Sequence, residues 1–322
     1  MSQVLETNVI NTVFDQSSVL KQELLNGLCA EEKYINPKFF YDEYGSQLFE
    51  RIMQLPEYYP TRTEIALLNQ HSEEIAATIG KDKVLIEPGA GNCEKVQYIL
   101  PTLKPKCYIP IDISADFLFE CASKLQEKFP YINIHAIADD MKAKVDMPDA
   151  FKNKEKVIFY PGSTIGNYNP AEALDFLKHA REIVGKKGGL LIGVDLQKDK
   201  EILDAAYNDE QGVTALFNLN VLNHVNKLLD SSIDVELFEH VAFYNEERCR
   251  IEMHLESKAE HDFSLDDVGQ VSFSEQERIH TEYSYKYTVD SFSQLAAQAD
   301  LKLERVWIDD NELFSVQYYV AQ

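Results

Sequence analysis

The chain has 322 residues, of which 45% are hydrophobic and 26% charged, which is ordinary globular composition and long enough for two domains or one elaborated domain. Its formal net charge of −23, carried by carboxylates spread along the whole length, argues against nucleic acid as a partner, since a phosphate backbone calls for a basic stripe. Five scattered cysteines with no C-x-x-C pair, and eight histidines with no H-x-x-x-H spacing, argue against a disulfide framework and offer no metal site.

Met1 to Asp15 lacks the basic flank and apolar centre of a secretory leader, and no apolar run approaches the roughly 20 residues that span a bilayer. A cytoplasmic protein with no membrane partner is expected. Helical spacing covers Asp15 to Leu28, and a second, aromatic-rich amphipathic helix is expected over Lys38 to Gln54. Leu55-Pro56-Glu57-Tyr58-Tyr59-Pro60 reads as a rigid turn, because each proline fixes its own φ and restrains the residue before it. Thr61-Arg62-Thr63-Glu64 has capping-box spacing and is expected to open a helix running to Gly80.

Buried-strand runs then alternate with helices. Val84 to Glu87, Cys107 to Asp112, Ile132 to Ala138, Val157 to Tyr160 and Leu190 to Val194 read as strands. Between them lie a helix-like stretch to Pro101, a helix after Ser114 reaching about Lys128, and one from Pro170 to Val184. Such alternation implies a parallel sheet covered on both faces. It stops after Asp195. Glu201 to Leu229 reads as helix with a break near Gly212, Phe238 to Ser257 as a hairpin turning at Asn245-Glu246-Glu247, and Val271 to Phe273 and Ile279 to Tyr287 as further strands. Thr288 then caps a helix to about Ala299, and Leu303 to Ile308 with Phe314 to Val320 form a closing antiparallel hairpin.

A parallel sheet finished by a hairpin is the layout of the α/β class I (Rossmann-like) methyltransferase fold. The expected division is 63–196 plus 287–322 for that domain, with 8–62 plus 197–286 forming a second, α+β substrate domain. At the hand-over from the first strand, Glu87-Pro88-Gly89-Ala90-Gly91 lets backbone approach a ligand with no Cβ in the way. Asp112 ends the next strand, and a carboxylate there accepts from ribose hydroxyls. A dinucleotide fingerprint needs a third small residue three positions after its second glycine; here Glu94 stands there and would repel a pyrophosphate. S-adenosyl-L-methionine has no phosphate, so Glu94 is compatible with it. A tight turn without a ligand is the plain alternative for Gly89 and Gly91.

The sequence resembles the histidine-specific Nα-methyltransferases of ergothioneine biosynthesis. The matching stretches are Phe40-Tyr41-Asp42, Leu55 through Arg62, Gly162-Ser163-Thr164-Ile165-Gly166-Asn167, Gly212-Val213-Thr214, Phe217-Asn218, Arg250-Ile251-Glu252-Met253 and Thr281-Glu282-Tyr283-Ser284. Such enzymes trimethylate L-histidine with three molecules of S-adenosyl-L-methionine, giving hercynine. The resemblance implies that Gly89, Gly91, Lys95, Asp112, Asp140 and Met141 hold the cofactor, Lys95 suiting the methionyl carboxylate. It implies that Tyr58, Asn167, Tyr207, Glu282 and Ser284 hold free L-histidine, with Tyr41, Thr214 and Met253 lining the pocket, and a monomer is expected.

Chemistry orders these roles. Methyl transfer needs alignment and a neutral amine, so Asn167 and Tyr207, both uncharged, suit the substrate carboxylate, and Tyr58 suits the amine. These three are the candidate catalytic residues. Glu282 accepts from the ring N–H and the Ser284 hydroxyl serves the other nitrogen. Read without the resemblance, Tyr58 could be turn packing, Asn167 a cap before Pro170, Met253 core, and Glu282 with Ser284 one solvated strand face. An acceptor other than histidine, such as a tryptophan derivative, and a cofactor-binding protein without activity remain the alternatives.

Overall fold

The computed structural model describes residues 16–139, 149–265 and 269–322. Its helices are α1 (Gln16–Leu28), α2 (Glu43–Ile52), α3 (Tyr59–Gln70), α4 (Ser72–Ile79), α5 (Leu100–Leu103), α6 (Ala115–Lys128), α7 (Asp149–Lys152), α8 (Pro170–Val184), α9 (Lys200–Tyr207), α10 (Val213–Leu229) and α11 (Val289–Ala297). The strands are β1 (Val84–Pro88), β2 (Cys107–Asp112), β3 (Asn133–Ile134), β4 (Ile137–Ala138), β5 (Lys156–Tyr160), β6 (Gly189–Asp195), β7 (Phe238–Asn245), β8 (Arg250–Ser257), β9 (His261–Leu265), β10 (Gly269–Phe273), β11 (Arg278–Tyr285), β12 (Leu301–Ile308) and β13 (Phe314–Ala321).

The main sheet runs β12-β13-β6-β5-β1-β2-β3, with β4 also on β2. From β3 to β6 every pairing is parallel, while β13 is antiparallel to both its neighbours. This is the class I methyltransferase sheet, and it ends in the antiparallel hairpin expected. Alternate residues of each strand feed opposite cores. Leu85, Tyr108, Val157, Phe159 and Leu191 face a layer with α3 to α6, whereas Ile86, Ile109, Ile158 and Ile192 face α8 and α11. Burial on both faces explains why these strands read as continuous apolar runs rather than alternating ones.

A separate three-stranded antiparallel sheet, β11-β8-β7, and a β9-β10 hairpin follow β6. One apolar cluster joins Leu24 to Tyr59 of the N-terminal helices with Leu203 to Ile279 of this later segment. The chain therefore leaves the main sheet at Asp195, builds a body with its own N-terminal segment, and returns at Tyr287. Leu196 and Tyr287 pair at that crossing, where the Tyr287 N–H donates to the Asp195 carbonyl at 3.1 Å.

Several boundaries depart from the sequence reading. The expected Lys38–Gln54 helix is a 3-10 turn, Pro37–Phe40, followed by α2, because the Asp42 side chain accepts from the Gly45 N–H at 2.8 Å and restarts the chain as an N-cap. Helix α3 begins at Tyr59 rather than Thr61 and gives way to α4 at His71. Thr61 to Glu64 is no capping box: Pro60 occupies the first turn, and the Glu64 carboxylate accepts from the Gly162 N–H at 2.9 Å and pairs with Lys95. The helix-like stretch to Pro101 divides into a 3-10 turn, Lys95–Tyr98, and α5, and Ile132–Ala138 into two two-residue strands. Strand β9 carried no signal that the sequence reading used.

Candidate active site

The turn expected to hold the cofactor is built mainly from backbone. Gly89 and Gly91 follow β1 with φ of +63° and +51°, a conformation costly for L side chains. No heavy atom lies within 4 Å of where a Cβ would stand on either, so the turn opens onto free space. The Asp112 carboxylate at the end of β2 accepts from the Gly91 and Ser114 N–H groups, each at 3.0 Å, and keeps lone pairs for a diol. Below the turn, Glu87 is buried and accepts from the Tyr108 hydroxyl. Burial pushes its carboxyl up to about 8, against the pull of that hydrogen bond and of Lys95. Lys95 pairs with Glu64 at 2.7 Å, and the Glu64 carboxylate fills the space left by Gly193, where a Cβ would stand 1.9 Å from its Oε1. An open glycine cradle, a carboxylate at the second strand end and a lysine beside them fit a nucleoside bearing an amino-acid tail.

A small cavity lies in the second body, lined by Phe49, Tyr58, Tyr207, Thr214, Met253 and Glu282 together with Ile52, Ala206 and Phe217. Its walls come from α2, the turn before α3, α9, α10, β8 and β11. Arg62 holds the Tyr58 turn, its guanidinium donating to the carbonyls of Leu55 at 3.0 Å, Pro56 at 2.6 Å and Tyr58 at 2.9 Å. The Asp209 carboxylate accepts from the Val213 and Thr214 N–H groups at 2.8 Å and starts α10. The Thr214 hydroxyl itself is buried beside that carboxylate. Glu282 has no hydrogen-bonding partner among the described residues, and burial pushes its carboxyl up to about 7, only partly offset by Lys286. An unpartnered carboxyl on an apolar wall is costly unless a polar ligand pairs it.

Where the two bodies meet, a charged network is buried. Asp195, at the end of β6, pairs with Lys286 at 2.7 Å and Lys198 at 2.6 Å, and accepts from the Tyr59 hydroxyl at 2.7 Å. Burial raises the Asp195 carboxyl, but the two ammoniums outweigh it and hold it below the ordinary range. Burial also pushes Lys198 down to about 8, whereas at Lys286 burial is outweighed by Asp195 and Tyr207 acting together, which raise it. The Lys286 ammonium donates to Ser284 Oγ at 2.8 Å and to the Tyr207 hydroxyl at 3.2 Å, and the Tyr207 hydroxyl donates to Ser284 Oγ at 3.0 Å.

Comparison with known proteins decides the family. Residues 20–321 match the model of the SAM-dependent, histidine-specific methyltransferases. The chain belongs to this family. It is 36% identical to a histidine N-alpha-methyltransferase of Mycolicibacterium smegmatis over 91% of this chain and 92% of that one. It is 32% identical to ergothioneine biosynthesis protein 1 of Neurospora crassa, over 84% of this chain but 31% of that much longer protein. It is 26% identical to a 4-dimethylallyltryptophan N-methyltransferase of Claviceps purpurea, over 90% of this chain and 92% of that one.

In this S-adenosylmethionine-dependent methyltransferase the residues singled out from sequence are placed as follows. Gly89, Gly91 and Asp112 form one cradle, with Lys95 held beside it by Glu64. Tyr58, Tyr207, Thr214, Met253 and Glu282 line one cavity, and Ser284 joins it through Tyr207. Tyr41 is 45% exposed and meets the cavity residues Phe49 and Phe217 edge-on at 5.6 and 5.9 Å. Asn167 does not line the cavity; it ends the 3-10 turn Thr164–Asn167, whose Gly166 approaches so closely that a Cβ would stand 2.8 Å from the Tyr285 carbonyl oxygen on β11. Asn169, not Asn167, caps α8, through a capping box with Glu172. Asp140 and Met141 lie outside the described residues. The strand face bearing Glu282 and Ser284 is buried, not solvated. Asp195, Lys198 and Lys286 were missed, because their separation of up to 91 positions hides an ion pair that only the chain crossing creates. Glu64 was read as a cap.

Among the described residues no cluster of His, Cys, Asp or Glu is arranged to hold a metal ion, and no helix is long and apolar enough to cross a membrane.

Proposed function

We propose that the protein methylates the α-amine of free L-histidine three times, giving Nα,Nα,Nα-trimethyl-L-histidine (hercynine), as in ergothioneine biosynthesis. The observation that carries this reading is the cavity lined by the Glu282 carboxyl, which has no hydrogen-bonding partner among the described residues, beside the Tyr58 and Tyr207 rings. An amino acid with a hydrogen-bonding ring satisfies such a wall, and an aliphatic one leaves it unpaired. The names of the relatives from Mycolicibacterium smegmatis and Neurospora crassa point the same way.

Gly89, Gly91, Lys95 and Asp112 would hold the cofactor, together with Asp140 and Met141. When bound, S-adenosyl-L-methionine supplies a methyl carbon made electrophilic by its sulfonium. The protein's own residues then align and desolvate the acceptor. Tyr58 orients the amine, Asn167, on the turn packed against β11, takes the substrate carboxylate, and Tyr207, whose proton goes to Ser284, bounds the pocket with Tyr41 and Met253. Burial raises the Tyr58 hydroxyl well above its usual range, so that ring stays neutral beside the amine. Asp195 is covered by two lysines and so presents no free carboxylate to hold the amine as ammonium. Glu282 accepts from the imidazole N–H, and Ser284 donates to the other nitrogen. In this division of labour, 63–196 plus 287–322 carries the methyl donor and 8–62 plus 197–286 selects the acceptor, in a cytoplasmic monomer with no nucleic-acid partner.

The similarity to a 4-dimethylallyltryptophan enzyme makes a tryptophan derivative the second reading. An indole has one donor and no acceptor nitrogen, which leaves the Ser284 hydroxyl without a partner. Mass spectrometry of reactions with each free amino acid separates the two. Three methyl groups on histidine and none on tryptophan are expected; transfer to another amino acid in preference to histidine overturns the proposal.

A further inference from the structure

We infer that Lys286 is a positioning residue for ring recognition: it fixes the Ser284 hydroxyl as a hydrogen-bond donor to the bound ring. An ammonium has three donors and no acceptor. Lys286 has three acceptors within reach: Asp195 Oδ2 at 2.7 Å, Ser284 Oγ at 2.8 Å and the Tyr207 hydroxyl at 3.2 Å. All four side chains are buried, Lys286 being 2% exposed and Asp195 1%, so water does not compete for these bonds. The Tyr207 hydroxyl, accepting from Lys286, spends its proton on Ser284 Oγ at 3.0 Å.

A serine hydroxyl has two acceptor positions and one proton. Lys286 and Tyr207 take both acceptor positions, and only the proton is left. Ser284 therefore cannot accept from a ligand and must donate to one. Glu282 lies on the same face of β11, two residues away, and as a carboxylate can only accept. The pair reads one N–H and one bare ring nitrogen, which is the pattern of a neutral imidazole in a single tautomer. Asp195 belongs to the main sheet and Lys286 to the chain returning from the second body, so ring selection is anchored on the methyl-donor side of the molecule. The polarity is set by charge: a neutral, freely rotating partner at 286 would let Ser284 turn either way.

The inference rests on the histidine reading and is tested by a double-mutant cycle on the full-length protein. S284A and K286M are each expected to raise KM for histidine about ten- to a hundredfold, with kcat changed less. In the S284A background, K286M should add no more than about twofold, because its route to the ring is already gone. Affinity for S-adenosylhomocysteine should stay within about twofold throughout. A pyrrolylalanine acceptor, which has no bare nitrogen to lose, should be turned over alike by the wild type and K286M. Additive losses in the cycle, an equal loss of S-adenosylhomocysteine affinity, or an equal loss with pyrrolylalanine each overturn the inference in favour of a purely structural lysine. If K286M does not fold, K286Q, which keeps two N–H donors, carries the same cycle. A wild-type protein that does not methylate histidine overturns the substrate reading instead, before the cycle is run.

Discussion

The two ends of this methyltransferase are built from different materials. The proposed cofactor end consists of a turn of five residues and the carboxylate closing the next strand, and the contacts that shape it are backbone N–H groups on Asp112. At the proposed acceptor end, the wall is drawn from residues between Phe49 and Glu282, on six segments of the chain. In the proposed arrangement its polarity is set by charges buried where the two bodies meet. Backbone recognition suits a donor common to many enzymes, because it depends on the chain path rather than on particular side chains. Recognition of one acceptor needs side chains with defined donors and acceptors, and those have to be oriented by further side chains. The cofactor end should therefore tolerate side-chain changes at the acceptor end, and the reverse holds as well.

The sharpest way to break this comparison is to remove both groups proposed to read the ring. E282A with S284A is expected to lower kcat/KM for histidine by about a thousandfold or more, since the buried ring nitrogens lose both partners. Calorimetric affinity for S-adenosylhomocysteine should change by less than about threefold. Parallel losses of both would show that the two ends are not separate. The second test strikes the crossing itself. D195A leaves Lys198 and Lys286 buried without their counter-ion, which costs about 3–5 kcal/mol. A fall in Tm of roughly 5–10 °C by calorimetry is expected, larger than for any single change in the cofactor turn that preserves Gly89 and Gly91.

A gentler probe is pH. Burial, partly offset by Lys286, places the Glu282 carboxyl at about 7, so it is charged above that pH and neutral below it. The charged form is the one that accepts from an imidazole N–H. kcat/KM for histidine should therefore fall as pH drops through about 7, in addition to the decline from protonation of the substrate's own amine and of its imidazole, which titrates at about 6.5. E282Q, which cannot titrate, should show only the latter, and S-adenosylhomocysteine affinity should show neither. An identical acid limb in E282Q and wild type would remove Glu282 from the ring. The smallest effect is expected at Asn169, whose side chain accepts from the Ala171 and Glu172 N–H groups at 3.0 and 3.1 Å. N169A should cost about 1 kcal/mol of stability and leave kcat and both KM values unchanged.

The strands of the main sheet were legible because each is buried on both faces and reads as an apolar run bounded by turn residues. The bounds of Pro170–Val184 were legible, although its cap is Asn169 rather than Asn167. The division of Lys38–Gln54 was not: periodicity continues through it, and only the Asp42 side chain closing on Gly45 reveals the restart. At Thr61 the spacing of a capping box was present, but a tertiary partner, Lys95, claimed the Glu64 carboxylate. Tyr58, Asn167 and Ser284 entered through resemblance to a family rather than through pattern, since each has an ordinary structural use.

Local chemistry in the sequence thus determined the parallel sheet, the glycine turn with its carboxylate partner, and the closing hairpin. These depend on neighbours within a strand, a turn or one β-α-β unit. Tertiary structure alone decided which polar groups line the cavity and which charges surround them. The reason is physical: burial and distant counter-charges fix the states of Glu282, Ser284, Lys198 and Asp195, and neither exists until residues far apart in sequence are packed together.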